Sequence, residues 1–117
     1  MAAPNIVNVT TITGKTAVLA LTASAVAIVT NSAASGMVYK VNSLYVANVD
    51  GAAAYSVTID LFRSSTAYRL AYQVVVPAGA TLDVLSKAIY LEEGDSIRAL
   101  GSTTLKLEAT CSYEQIS

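Results

Sequence analysis

Apolar and polar residues alternate with a period of two along most of the chain, and no other feature restricts its fold as strongly. In Tyr55-Ser-Val-Thr-Ile-Asp-Leu61, the side chains of Tyr55, Val57, Ile59 and Leu61 share one face, and Ser56, Thr58 and Asp60 share the other. That pattern is a strand with one buried side. At the C-terminus Leu105, Leu107, Ala109, Cys111 and Tyr113 alternate with Lys106, Glu108, Thr110, Ser112 and Glu114. A further strand carries Tyr68, Leu70, Tyr72, Val74 and Val76 opposite Arg69 and Gln73, and Val75 makes its end apolar on both sides. Apolar character on two faces predicts a central position for this strand.

Turn chemistry falls where the alternation breaks. Asp50-Gly51 between Tyr45–Val49 and the Tyr55 strand reads as a hairpin, because Gly accepts positive φ at little cost. Arg63-Ser-Ser-Thr66, Pro77-Ala-Gly79, Glu92-Glu-Gly-Asp95 and Gly101-Ser-Thr-Thr104 separate the later strands. Met37, Tyr39 and Val41 lie in one phase, Leu44 and Val46 in the other, which predicts a bulge near Asn42-Ser43. The stretch from Thr16 to Thr30 could compete as a helix, being rich in Ala and Leu. Its Val, Ile and Thr content favours two strands folded at Thr22 to Ser24. About eight to ten strands without crossover helices predict an all-β domain, an antiparallel β-sandwich with jelly-roll-like wiring.

The chain of 117 residues fits one domain spanning 1–117, with residues 1–10 as an N-terminal arm. Charged residues make up only 13%, where about 25% is usual, so less polar surface is available than a monomer of this size commonly shows. This shortage points to contacts between subunits. The Ala17–Val29 run is too short for a bilayer-spanning helix, which needs roughly 20 residues, and the preceding segment lacks a basic n-region, so no membrane segment or signal peptide is expected and the chain is read as mature from Met1. Seven basic residues, scattered singly, do not form a stripe that would neutralise phosphates, and no nucleic-acid partner is expected.

Catalytic chemistry finds little to build on. The chain has no His, and its single Cys111 lies in an apolar stripe where a thiol serves as core filler. Without His a Ser nucleophile needs a Lys base, and no Ser stands three residues ahead of any Lys. Gly14-Lys15-Thr16 resembles the tail of a phosphate-binding loop but lacks the glycine five residues earlier, so it reads as a turn before a strand. Asn8-Val9-Thr10 matches a glycosylation acceptor only as a three-residue pattern. Glu92, Glu93 and Asp95 could offer oxygens to a hard cation, but a solvated turn with Gly94 at positive φ accounts for them more simply. The expectation is a protein that is not an enzyme and holds no metal or cofactor.

Seven tyrosines stand against one phenylalanine. On strand stripes they serve either as core residues with a wet hydroxyl or as an interface or sugar platform. The uncharged start, Met1 to Asn8, could lie on a neighbouring subunit and cover a strand edge. Pro4, Asn5, Ile6, Val7, Tyr39 and Tyr45 are thus the candidate subunit interface.

Val38-Tyr-Lys-Val-Asn-Ser-Leu-Tyr-Val-Ala-Asn-Val-Asp-Gly51, Tyr90-Leu-Glu-Glu-Gly-Asp-Ser-Ile-Arg98, Ser112-Tyr-Glu-Gln-Ile-Ser117 and the opening Asn5-Ile-Val-Asn-Val9 resemble small virion structural proteins of tailed bacteriophages, a group similar to capsid decoration or cement proteins. The turn before the late strand, Leu91 to Ile97, resembles trimeric jelly rolls of the tumour-necrosis-factor type more weakly. The resemblance implies a β-sandwich docked on an icosahedral shell, often as trimers, with no catalytic residues. The leading expectation is therefore a decoration protein made in the host cytoplasm. It would reinforce the head shell by binding the major capsid protein and copies of itself on the capsid surface. The alternative is a tail, neck or fibre component whose jelly roll meets a host surface or glycan.

Overall fold

The computed structural model describes residues 5–117, and every regular element among them is a strand. In chain order these are β1 (Ile12–Ala20), β2 (Val26–Thr30), β3 (Val38–Asn48), β4 (Tyr55–Arg63), β5 (Thr66–Val76), β6 (Thr81–Asp83), β7 (Ile89–Leu91), β8 (Ser96–Gly101) and β9 (Leu107–Ile116). One sheet runs β1-β9-β3-β6, with β7 also on β3, and the other runs β2-β8-β4-β5; every pairing is antiparallel. Both β6 and β7 pair with β3, at Tyr45–Ala47 and Tyr39–Val41 respectively, so they are two halves of one strand position interrupted by residues 84–88. The result is the jelly-roll β-sandwich expected from the alternation.

The core lies between the sheets. Val41, Leu44, Val46, Leu107, Ala109 and Cys111 project inward from the first sheet, and Val57, Ile59, Val76, Ile97 and Ala99 from the second. Each buried Leu, Ile or Val contributes about 1.5–3 kcal/mol through removal of apolar area from water. Tyr39 and Tyr113 stack inside the sandwich with ring centroids 5.4 Å apart. Two fully or nearly buried asparagines tie loops to this core. Asn31 donates from Nδ2 to the carbonyls of Met37 (2.9 Å) and Leu91 (3.0 Å), and Asn48 donates to those of Ala53 (2.9 Å) and Val76 (3.0 Å). A buried amide with its donors satisfied is specific to one loop path, since leaving it unpaired costs about 1–3 kcal/mol.

Several strand assignments change. Asp50-Gly51 makes no hairpin: β3 and β4 lie in different sheets, and the link between them crosses the sandwich. The crossing is held by Asn48, by Asp50 accepting from the Ala52 N–H (2.8 Å) and by the Tyr55 hydroxyl on Asp50 (2.9 Å). Nor is β5 central. It forms the edge of its sheet, Val75 is 62% exposed, and bulges opposite Val57–Asp60 with Gln73 at φ 50° shift its register. The apolar doubling near Val75 reflects that slip and not two covered faces. Leu105 belongs to the loop before β9, at φ 62° and largely exposed, and Gly14-Lys15-Thr16 lies inside β1 instead of in a turn ahead of it.

Other expectations hold. The Ala17–Val29 run folds as two strands, one in each sheet, with the Leu21 N–H donating to Leu107 (2.8 Å) in the first sheet and the Thr22 carbonyl accepting from Gly101 (2.8 Å) in the second. The register of β3 on β9 shifts between Val41 and Ser43, where the phase change had placed a bulge. Arg63-Ser-Ser-Thr66 is a two-residue hairpin whose Ser64 and Ser65 both take positive φ, 51° and 61°. That is the backbone of a type I′ turn, which matches the strand twist but is usually filled by Asn-Gly.

Candidate functional site

The sequence-derived interface residues do not form one cluster. Pro4 lies outside the described residues. Asn5, Ile6 and Val7 are exposed on the segment ahead of β1, where the Asn5 side chain accepts from the Val7 N–H (2.9 Å). The following residues dock on the chain's own end, with the Thr10 and Thr11 N–H groups donating to the Ser117 carbonyl at 2.7 and 2.9 Å. Tyr39 is buried, and its hydroxyl accepts from Gln115 Nε2 (3.1 Å). Tyr45, in contrast, projects from the outer face of the first sheet.

The acid-rich turn Glu92–Asp95 is not free for a cation. Gly94 takes φ 88°, the Asp95 N–H donates to the Glu92 carbonyl at 3.0 Å, and Arg63, at the end of β4, lines the adjoining open depression and engages its acids. Arg63 grips Asp95 through Nε (2.8 Å) and Nη2, and also reaches Glu92 (2.9 Å). Burial alone would raise the Asp95 carboxyl, but the bonds from Arg63 and from the Glu92 N–H outweigh it and hold Asp95 below the usual carboxylate range. Among the described residues no group of three or more His, Cys, Asp or Glu is placed to hold a metal ion. Cys111 is inaccessible, and burial pushes its thiol up to about 11, which removes the thiolate needed for nucleophilic chemistry.

A second charged cluster was not read from the sequence, although the Arg63–Thr66 turn places Arg69 opposite Asp60. Asp60 sits on the outer, supposedly wet face of β4, yet it is only 1% exposed. Cross-strand register explains this: Asp60 stands directly opposite Arg69 on β5 and Arg98 on β8. Each guanidinium donates to one carboxylate oxygen at 3.1 Å, so two arginines cover one acid and leave a net positive rung. Aromatic rings flank it, with Arg98 over Phe62 at 3.8 Å and Arg69 over Tyr72 at 5.3 Å from the centroid. Arg69 and Tyr72 stand out from the edge strand, the Arg69 side chain 46% and Tyr72 59% exposed. Only knowledge of which strands pair brings these residues together.

On the opposite flank, the outer face of β1 and β9 holds a shallow open depression of about 390 Å³ lined by Val18, Ala20, Glu108 and Thr110. Val18 is 74% exposed there. Glu108 is exposed and forms no ion pair with any described residue. The two longest exposed margins of the sandwich, β1 and β5, are thus the free edges of different sheets.

The strand orders β1-β9-β3-β6/β7 and β2-β8-β4-β5 define a jelly-roll β-sandwich, and comparison with known proteins bears on that fold. No protein-family model matches the chain, and no curated protein does. Among solved structures it is similar to one described under "Bacillus endospore appendages form a novel family of disulfide-linked pili", with a TM-score of 0.54, 20% identity, and coverage of 92% of this chain and 88% of that one. At that identity the likeness is one of fold. It corrects the head-decoration reading: the solved structure that this chain is similar to is an endospore appendage pilus, not a capsid decoration protein.

Proposed function

We propose that this chain is a non-enzymatic structural subunit that polymerises with its own copies into a pilus-like or fibre-like extracellular assembly. The observation that carries this reading is the pair of long free edges, nine residues in β1 and eleven in β5, on a sandwich whose fold resembles a pilus subunit. An unpaired edge of that length is a template for association unless it is blunted; neither strand carries a proline, β1 runs without a bulge, and β5 is interrupted only by the bulges opposite Val57–Asp60. Apolar side chains on the same margins, Val18, Tyr68, Tyr72 and Val75, are exposed and gain by burial against a neighbour. The fibre-component alternative is closer to this reading than an icosahedral shell protein is.

Any such polymer must be non-covalent with respect to sulfur. The only thiol, Cys111, is enclosed in the core, so the disulfide linkage named for the similar pili has no counterpart in the folded chain. The test is negative-stain microscopy and sedimentation of the purified full chain over a range of concentrations, with and without a reducing agent. Filaments that persist in reductant are expected. A chain that stays monomeric at its highest soluble concentration would contradict the proposal.

A further inference from the structure

Resting on the self-assembly reading, we infer that the Arg69–Tyr72 knob of one copy seats in the Val18–Glu108 depression of the next. The two surfaces are complementary in charge and polarity. Arg69 shares the single Asp60 carboxylate with Arg98, so the knob carries one positive charge in excess of its acid. Glu108 in the depression has no cationic partner among the described residues, and a guanidinium accepts a carboxylate with good geometry. Small side chains such as Ala20 and Thr110 line the depression, whose open volume of about 390 Å³ can take a side chain from a neighbour. Val18 beside it offers the exposed aliphatic surface that the Tyr72 ring lacks within its own subunit.

Placement on the molecule determines what such a contact builds. The knob stands on the edge strand of one sheet, and the depression on the outer face at the edge strand of the other. Every copy therefore presents both surfaces at once, on opposite margins, and neither surface is self-complementary. A contact between unlike surfaces is head-to-tail and continues indefinitely unless its rotation closes a ring. Copies would overlap like roof tiles, with sheet faces as well as edges in contact. Pre-pairing on Asp60 and stacking on Tyr72 hold the Arg69 guanidinium in place before docking, which reduces the entropy lost on association.

Charge changes at exposed positions test this without disturbing the buried acid. Glu108→Arg places a cation in the depression, and Tyr72→Glu places an anion on the knob; neither residue contacts Asp60 in the structure. With melting profiles confirming that both variants fold, each alone should raise the concentration needed for assembly about tenfold or more, because like charges then meet. An equimolar mixture of the two should recover assembly, since each mutated surface finds the opposite charge on the other variant and the unmutated surfaces also match. Assembly of either single variant at wild-type concentration overturns the inference, as does a mixture no better than its components. Binding of alginate, a carboxylated polysaccharide, at Arg69 without any effect of Glu108→Arg on assembly overturns it in favour of a glycan occupant. Should the wild-type chain itself remain monomeric, the self-assembly reading fails first, a result distinct from normal assembly that ignores these charges.

Discussion

Asp60 shows how far a single position can depart from what alternation implies. Its place among Ser56 and Thr58 marks it as a wet residue, but register brings two arginines across it and removes it from water. Charges so placed are costly when one partner is lost. Asp60→Asn keeps the shape and leaves both guanidiniums uncompensated, and should lower stability by about 2–3 kcal/mol in chemical denaturation. Asp95 gives a different signature. Its carboxyl is held low in the folded state, so its contribution is present at pH above the ordinary carboxylate value and is lost as pH falls through the depressed folded-state value. Asp95→Asn should therefore flatten the acid limb of a stability-against-pH curve, and an unchanged limb would exclude the Arg63 pair as its source. At Cys111 the sequence reading as core filler is matched by complete burial, because an apolar stripe is local information. Of the ion-pair cluster around Asp60, Arg69 stands nine residues away across the β4–β5 hairpin, but Arg98 was illegible because it lies 38 residues on, in a strand that alternation does not assign to a sheet.

At the scale of elements, strand existence was readable and strand neighbours were not. Alternation reports which face of a segment is buried but carries no label for the sheet it joins. The Asp50-Gly51 turn illustrates this: the same dipeptide that closes hairpins here lies in a corner, because Asn48 anchors the loop to β5 through the Val76 carbonyl. In β5 the doubled apolar pattern implied cover on both faces, whereas bulges had shifted its phase. The Ser64-Ser65 hairpin offers an independent check on this geometry. Both residues sit in a left-handed conformation that costs a non-glycine residue about 1 kcal/mol. Ser65→Gly should thus stabilise the chain by up to about 1 kcal/mol, raising the melting temperature by roughly 4 °C. A decrease would show that the turn is not of the type described.

For the whole molecule, the last strand lies inside the first sheet and pairs with the first strand at its margin. Strand β9 lies between β1 and β3 and carries both ladders, so that sheet cannot form until the last residues are available. Folding dominated by such distant pairings is slow compared with that of helical domains. Deletion of residues 107–117 should leave a chain without a cooperative unfolding transition, measurable by circular dichroism, because it removes Leu107, Ala109 and Cys111 from the core along with two ladders. The shortage of charge that pointed to subunit contacts resolves into particular places: small side chains within the sandwich, and apolar and singly charged residues on its two free margins.

The break between β6 and β7 has a practical consequence. Val84 and Leu85 pack against the core and the Val84 N–H donates to the Leu44 carbonyl (2.8 Å), while Ser86, Lys87 and Ala88 protrude with no ladder to maintain. A foreign peptide grafted between Lys87 and Ala88 would lengthen a loop at a cost that rises only with the logarithm of its length. On a chain that polymerises, each repeat would then carry one copy of that peptide at regular spacing, a scaffold for dense molecular display.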